Sequence, residues 1–230
     1  MDPLTVLANT SLFRGFPPEQ LQPLAGSLKE RTFPRTSTIF HEGDPGNALY
    51  VIVSGQVKIG HVARGGDETI YAVLMPGDIF GELALFDERA VRAADAVAME
   101  TTECLALGRD AFLSFLDAHP RAVRHLVALF GTYLRATDET FSEAAFLDIP
   151  GRVAKKLLDL SDSQGEATPE GRRIRVRLTQ RTLAGMVGAS RENVNRALAR
   201  LVARGAIVLE NGYITIAKPA ELKKLAASRK

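Results

Sequence analysis

The sequence predicts an α+β chain in three parts: a β-rich front domain, a long helix and a C-terminal winged helix-turn-helix. Three observations carry this. Residues 31–107 break into short apolar runs separated by Gly, Pro, Asp and Asn, the texture of a sandwich or barrel. Residues 120–147 sustain a helical apolar pattern. Residues 178–204 read as two short helices joined by a tight turn, with an Asn-Gly hairpin following. The expected domains are 1–119, 120–147 and 148–230.

Composition sets the frame. A hydrophobic content of 46% in 230 residues allows full cores. No run approaches the roughly eighteen apolar residues of a membrane span. The N-terminal stretch MDPLTVLANTSLFRG lacks the basic start and long apolar run of a signal peptide, so a cytoplasmic protein is expected. Cys104 is the only cysteine, which rules out a disulfide within the chain and any multi-cysteine metal site. It is expected to be a buried strand residue. His41, His61, His119 and His125 show no metal-ligand spacing, and no metal is expected. Charge is divided: residues 1–147 hold 12 Lys+Arg against 19 Asp+Glu, net −7, while residues 148–230 hold 17 against 8, net +9. A basic half that also carries a helix-turn-helix pattern is the electrostatic footprint of a polyanion binder.

In chain order, 3–8 and 18–28 read as short helices. Strands are expected at 37–40, 48–54, 56–62, 69–75, 94–98 and 103–107, with turns at EGDPGN (42–47), SGQ (54–56), RGGD (64–67) and PGD (76–78). A brief helix covers 110–118. Pro120 opens the long helix, in which Val123, Leu126, Phe130, Tyr133, Thr137, Thr140, Ala144 and Leu147 alternate steps of three and four. That is the seam of a dimeric coiled coil, with Val127, Leu134, Phe141 and Ala145 as a second stripe available to the β domain. Pro150 suits the first turn of a further helix ending near Leu160, and 161–172 reads as a surface loop.

In the basic half, Thr179 can cap the first short helix, Gly188 ends it, and Ser190 can cap the second. Val194, Ala197, Leu198, Leu201 and Val202 form one buried face. The expected DNA-facing set is Thr179, Gln180, Ser190, Arg191, Glu192, Asn195 and Arg196. Arg can bond guanine O6 and N7 together, Glu can accept from cytosine N4, and Asn can pair with adenine in the major groove. Ala206–Leu209 and Tyr213–Ile216 around Asn211-Gly212 would make the wing.

One β-domain segment stands apart. Glu82, in Phe80-Gly81-Glu82-Leu83-Ala84-Leu85, and Arg92 lie in apolar surroundings, where charge is costly unless paired or liganded. A structural salt bridge would explain both. So would a ligand: a glycine before a helical turn exposes N–H groups to an anion, and an arginine fork suits phosphate. A carboxylate beside it suits sugar hydroxyls.

These motifs together resemble the CRP/FNR family of cAMP receptor protein-like transcription regulators over residues 10–217: EGDPGNALYVIVSGQVKI (42–59), FGELALF (80–86), AFLDIPGRVAKKLLDL (145–160) and VGASRENVNRAL (187–198). The resemblance implies a double-stranded β-roll that binds a cyclic nucleotide, cAMP first. Glu82 would hold the ribose 2′-hydroxyl, and Arg92 the cyclic phosphate with the N–H groups of Gly81 and Leu83. It also implies a homodimer, a near-palindromic double-stranded DNA site read by Arg191, Glu192 and Arg196, and contact with RNA polymerase. Bacterial cAMP receptors usually place Ser or Thr where this chain has Ala93; its Arg-Ala-Ala run resembles the cyclic-nucleotide domains of cAMP-dependent kinase regulatory subunits, where Ala goes with cAMP over cGMP. The adenine-contacting pair would fall at Thr137, which matches, and Asp138, which departs and would add a desolvation cost if buried. Tyr133 stands where the cAMP receptor has Arg. Two other readings differ in class: a constitutive regulator with a ligand-free β-roll, and an enzyme using Glu82 with Asp78 or Asp87, which lacks any supporting nucleophile, metal cluster or phosphate loop. A cyclic dinucleotide is the alternative ligand.

Overall fold

In the computed structural model, which describes residues 2–62, 68–86 and 89–228, the chain divides into two units. The first takes in residues up to 62 and 70–135, the second residues from 136 onward.

The first unit is a double-stranded β-roll. Among the described residues one sheet holds β1 (Lys29–Phe33), β3 (Ala48–Ser54), β6 (Ile79–Phe80) and β8 (Thr102–Gly108) in the order β1-β8-β3-β6. The other holds β2 (Thr38–Phe40), β4 (Val57–Val62), β5 (Glu68–Leu74) and β7 (Asp95–Ala98) in the order β2-β7-β4-β5. Side chains alternate across each strand, so the register of β3 on β8 decides the core: Leu49 faces Leu107 and Val51 faces Leu105, all four buried. Helices α1 (Pro3–Asn9), α2 (Pro18–Ala25) and α3 (Arg109–Ala118) and the opening turns of α4 (Pro120–Phe146) cover that face. Phe13, Phe112, Leu116, Ala122 and Leu126 complete its apolar cluster, with Phe13 edge-on to Phe115 at 5.6 Å. A second cluster inside the roll joins Ile52, Val57, Phe80, Ala96 and Cys104 to Phe40 and Tyr50. Cys104 is 1% exposed, and burial pushes its thiol up to about 12.

The second unit starts with the end of α4 and α5 (Ile149–Gln164), which Asp148 caps by accepting the Gly151 N–H at 2.8 Å. Then come β9 (Gly165–Thr168), β10 (Gly171–Ile174), α6 (Gln180–Val187), α7 (Arg191–Ala203), β11 (Ile207–Glu210), β12 (Tyr213–Ile216) and α8 (Pro219–Ala227). The strands form one sheet, β11-β12-β10-β9. Asn211 and Gly212 both have positive φ (52° and 83°), as a two-residue hairpin of right-handed twist requires.

Several expectations need correction. The 161–172 stretch is not a surface loop: α5 continues to Gln164 and the β9–β10 hairpin follows. Within the two strands only Ile174 is buried, so no apolar alternation marks the hairpin. The expected 18–28 helix stops at Ala25, and β1 begins at Lys29 with four exposed residues of five. Helix α8 had no expected counterpart. Val202, placed on the buried face of the second short helix, is 42% exposed. The two stripes of α4 are not disposed as expected: Leu126 and Phe130 of the first pack on the β-roll, whereas Val127, Leu134 and Phe141 of the second are 63%, 64% and 77% exposed in the single chain. The turn expected at 64–67 lies outside the described residues. No described helix is long and apolar enough to cross a membrane.

Candidate functional site

Strand β6 ends at Phe80, and the next residue, Gly81, has a φ of 80° that lets the chain turn into a single 3-10 turn at Leu83–Leu85. Glu82 begins that turn with only 3% exposure. Arg92, before β7, is 4% exposed. Its Nη1 donates to the carbonyls of Gly81 at 2.7 Å and Ala48 at 2.9 Å, and its guanidinium lies 4.2 Å over the Phe40 ring and 5.7 Å from that of Tyr50. The space around it is reserved by glycines. A Cβ on Gly81 would stand 2.6 Å from Arg92 Nη1, and one on Gly46 would stand 3.0 Å from Arg92 Nε and 2.4 Å from Ala84 Cβ.

Two features mark this as more than packing. Arg92 Nε is buried with no hydrogen-bond partner among the described residues, and such a donor is costly unless an acceptor is supplied. No ion pair joins Arg92 to Glu82 within 4 Å among the described residues, so the salt-bridge explanation fails. Burial pushes the Glu82 carboxyl up to about 6, against its own backbone N–H, the Tyr133 hydroxyl and the Arg92 charge, which favour ionisation. Burial also works against the charge of Arg92. A buried cation with spare donors and a nearby carboxylate can take an anion that also carries a hydroxyl.

The structure thus brings Gly81, Glu82 and Arg92 together. Leu83 and Ala93, next to Glu82 and Arg92 in the chain, are exposed. Thr137 and Asp138 are exposed residues of α4, and the desolvation cost expected of a buried Asp138 does not arise in the single chain. Of the pair considered for acid–base work, Asp78 has its Oδ2 occupied by the Met75 N–H at 2.8 Å, and Asp87 lies outside the described residues. In the sequence Tyr133 stands out only as a departure from the family; its partnership with Glu82 spans fifty-one residues and leaves no local signal.

In the second unit the helix-turn-helix forms as its caps predict. Thr179 Oγ1 accepts the Thr182 N–H at 3.0 Å, Gly188 closes α6 in the left-handed region, and Ser190 Oγ accepts the Asn193 N–H at 3.3 Å. Val194, Ala197, Leu198 and Leu201 turn inward. Arg191, Glu192, Asn195, Arg196 and Arg200 stay exposed on one face. Gln180 is wired to that face: its Nε2 donates to Asn195 Oδ1 at 3.0 Å, and its Oε1 accepts from Arg191 Nε at 3.4 Å. Arg196 bonds Asn193 Oδ1. Glu192 is held below the usual carboxylate range by its own backbone N–H and Ser190, with Arg191 and Arg196 nearby.

Comparison with known proteins assigns both units. Residues 30–119 match the model of the cyclic nucleotide-binding domain, and residues 151–225 match that of the Crp-like helix-turn-helix domain. The chain is 39% identical over 223 residues to the CRP-like cAMP-activated global transcriptional regulator of Mycobacterium tuberculosis, covering 96% of this chain and 98% of that one. It is 34% identical over 220 residues to the cyclic AMP receptor protein of Thermus thermophilus, with coverage of 96% and 98%. Among solved structures, the c-di-GMP responsive regulator CLP of Xanthomonas campestris shares the fold at a TM-score of 0.74 and 24% identity, covering 86% of this chain and 98% of that one. With both domain models matched and relatives aligned along nearly its whole length, the chain belongs to the CRP/FNR family of transcription regulators.

Proposed function

We propose that this regulator is a homodimer switched by a cyclic nucleotide held in the β-roll, with cAMP the first candidate. The carrying observation is the buried Arg92 guanidinium, anchored by two carbonyls through Nη1 and left with an unpartnered Nε. A cyclic phosphate supplies the missing acceptor, with N–H groups of the 3-10 turn beside it. Glu82 takes the ribose 2′-hydroxyl. The names of the Mycobacterium and Thermus relatives, cAMP-activated and cyclic AMP receptor, support cAMP. Ala93 offers no hydroxyl, which favours cAMP over cGMP by the kinase resemblance. Thr137 and Asp138 meet the base, and the exposed stripe of α4 pairs two chains.

Ligand binding then biases a rearrangement at Asp148-Ile149-Pro150 that sets two recognition helices at the spacing of a near-palindromic site. Arg191, Glu192 and Arg196 read base edges, while Thr179, Gln180, Ser190 and Asn195 fix the docking. RNA polymerase is the protein partner at the promoter. No residue of the chain takes a catalytic role in this switch. Calorimetry with cAMP, cGMP and c-di-GMP tests it, beside operator binding with and without each. Heat with cAMP, lost in Arg92→Ala, is expected. Preference for c-di-GMP overturns the ligand, and operator binding indifferent to all three favours a constitutive regulator.

A further inference from the structure

Helix α4 reaches the buried carboxylate of the β-roll through the side chain of Tyr133. Its hydroxyl hydrogen-bonds the Glu82 side chain. The ring is half-buried and abuts Phe130 at 6.2 Å, and Phe130 in turn sits edge-on to Phe86 at 6.1 Å, just past the 3-10 turn that starts at Glu82. An aromatic chain therefore fixes Tyr133 and the Glu82 turn against each other.

We propose that Tyr133 is a positioning residue of the ribose subsite: it holds the Glu82 carboxylate ready for a sugar hydroxyl and ties occupancy of that subsite to α4. The proposal rests on the reading of the pocket as a cyclic-nucleotide site. An ionised carboxylate has about four acceptor positions. The Tyr133 hydroxyl and the backbone N–H of Glu82 itself occupy part of that capacity and fix the side chain, leaving acceptor sites for an incoming hydroxyl. A carboxylate that is already ordered loses little rotamer freedom when the sugar arrives. Tyrosine suits the task because a phenol has few torsions and at neutral pH acts as a donor here. Burial first, and the Glu82 charge second, push its own ionisation further up. Arg92 and Asp78 are the other charged groups near this pair.

The test compares cAMP with 2′-deoxy-cAMP on the full chain, wild type and Tyr133→Phe. The variant keeps the ring and its contacts with Phe130 and removes only the hydroxyl. The expected result is a loss of about fivefold to tenfold in affinity for cAMP, the size of one ordinary hydrogen bond, and less than twofold for the 2′-deoxy nucleotide. Equal losses on both ligands would reduce Tyr133 to packing. No loss, or a gain for cAMP, would also overturn the proposal. A second measurement needs no ligand: a carbon-13 titration of the glutamate carboxyls should show Glu82 ionising at higher pH in Tyr133→Phe. Glu82 unmoved in that titration overturns the proposal alone, whereas wild type binding neither nucleotide overturns the nucleotide reading and the proposal with it.

Discussion

Arg152 on α5 donates from Nη1 to the Val187 carbonyl at 2.7 Å, and the Gly188 carbonyl lies 3.3 Å from the same nitrogen. Those are carbonyls at the end of α6, where a helix leaves acceptors without partners of its own. The turn between the two helices of the DNA-binding motif is thus tied to α5 by one guanidinium. Arg152→Met should keep the aliphatic packing and remove the tie, at a cost of about 1–3 kcal/mol. Thermal denaturation checks the loss, and specific DNA affinity should fall with it.

Gly46→Ala places a methyl 2.4 Å from Ala84 Cβ and 3.0 Å from Arg92 Nε. Neither the 3-10 turn nor the arginine can yield without disturbing the other. The expected destabilisation is about 1–3 kcal/mol, as for an overpacked core. Calorimetry should also show weakened cAMP binding, because Arg92 loses its place.

Glu82 ionises near pH 6 in the folded chain against 4.5 for an ordinary glutamate. A raised carboxyl favours the folded state below its unfolded pKa, and that advantage disappears as pH rises through about 6. At pH 7.5 the buried charge therefore costs on the order of 2 kcal/mol. Glu82→Gln should be more stable than wild type above pH 6 by about that amount, with the difference closing toward pH 4.5. Denaturant melts across this range measure it. The ligand-free variant gains stability while losing affinity for cAMP.

Val127, Leu134 and Phe141 recur every seven residues along α4 and are more than half exposed in the single chain. Such a stripe seeks a second helix. Phe141→Glu should shift a dimer toward monomer in sedimentation, since two like charges would then face each other across the seam. An unchanged dimer would place the interface elsewhere.

Arg196 sits on the exposed face of α7 with Arg191 and Glu192. Arg196→Ala should lower affinity for the preferred site by about 1–3 kcal/mol and relax preference at one base pair. Competition with scrambled DNA checks this: equal weakening of both would remove its base-reading role.

How far the fold could be read in the chain depended on whether the signal was local. Thr179, Gly188, Ser190 and Asn211-Gly212 are punctuation with its own chemistry, and the winged motif formed where they placed it. Glu82 and Arg92 were visible because charge in apolar sequence is rare. Strand β1, at the edge of its sheet, and the β9–β10 hairpin were not, because few of their residues are buried and backbone pairing defines them. On α4 the spacing showed two apolar stripes without saying which one meets the roll; the burial of Leu126 in the cluster that holds Phe112 and Leu116, not periodicity, decides that.

Cys104 turns the chain into its own gauge of opening. The single thiol lies inside the β-roll, nearly sealed and far from ionised at neutral pH, so an alkylating reagent should find almost nothing to attack in the native protein. Each modification event then counts one excursion of the roll out of its closed form, with no engineered label and no contribution from the winged half. The rate of labelling, followed with and without nucleotide, would show how much a ligand slows the breathing of the domain that holds it.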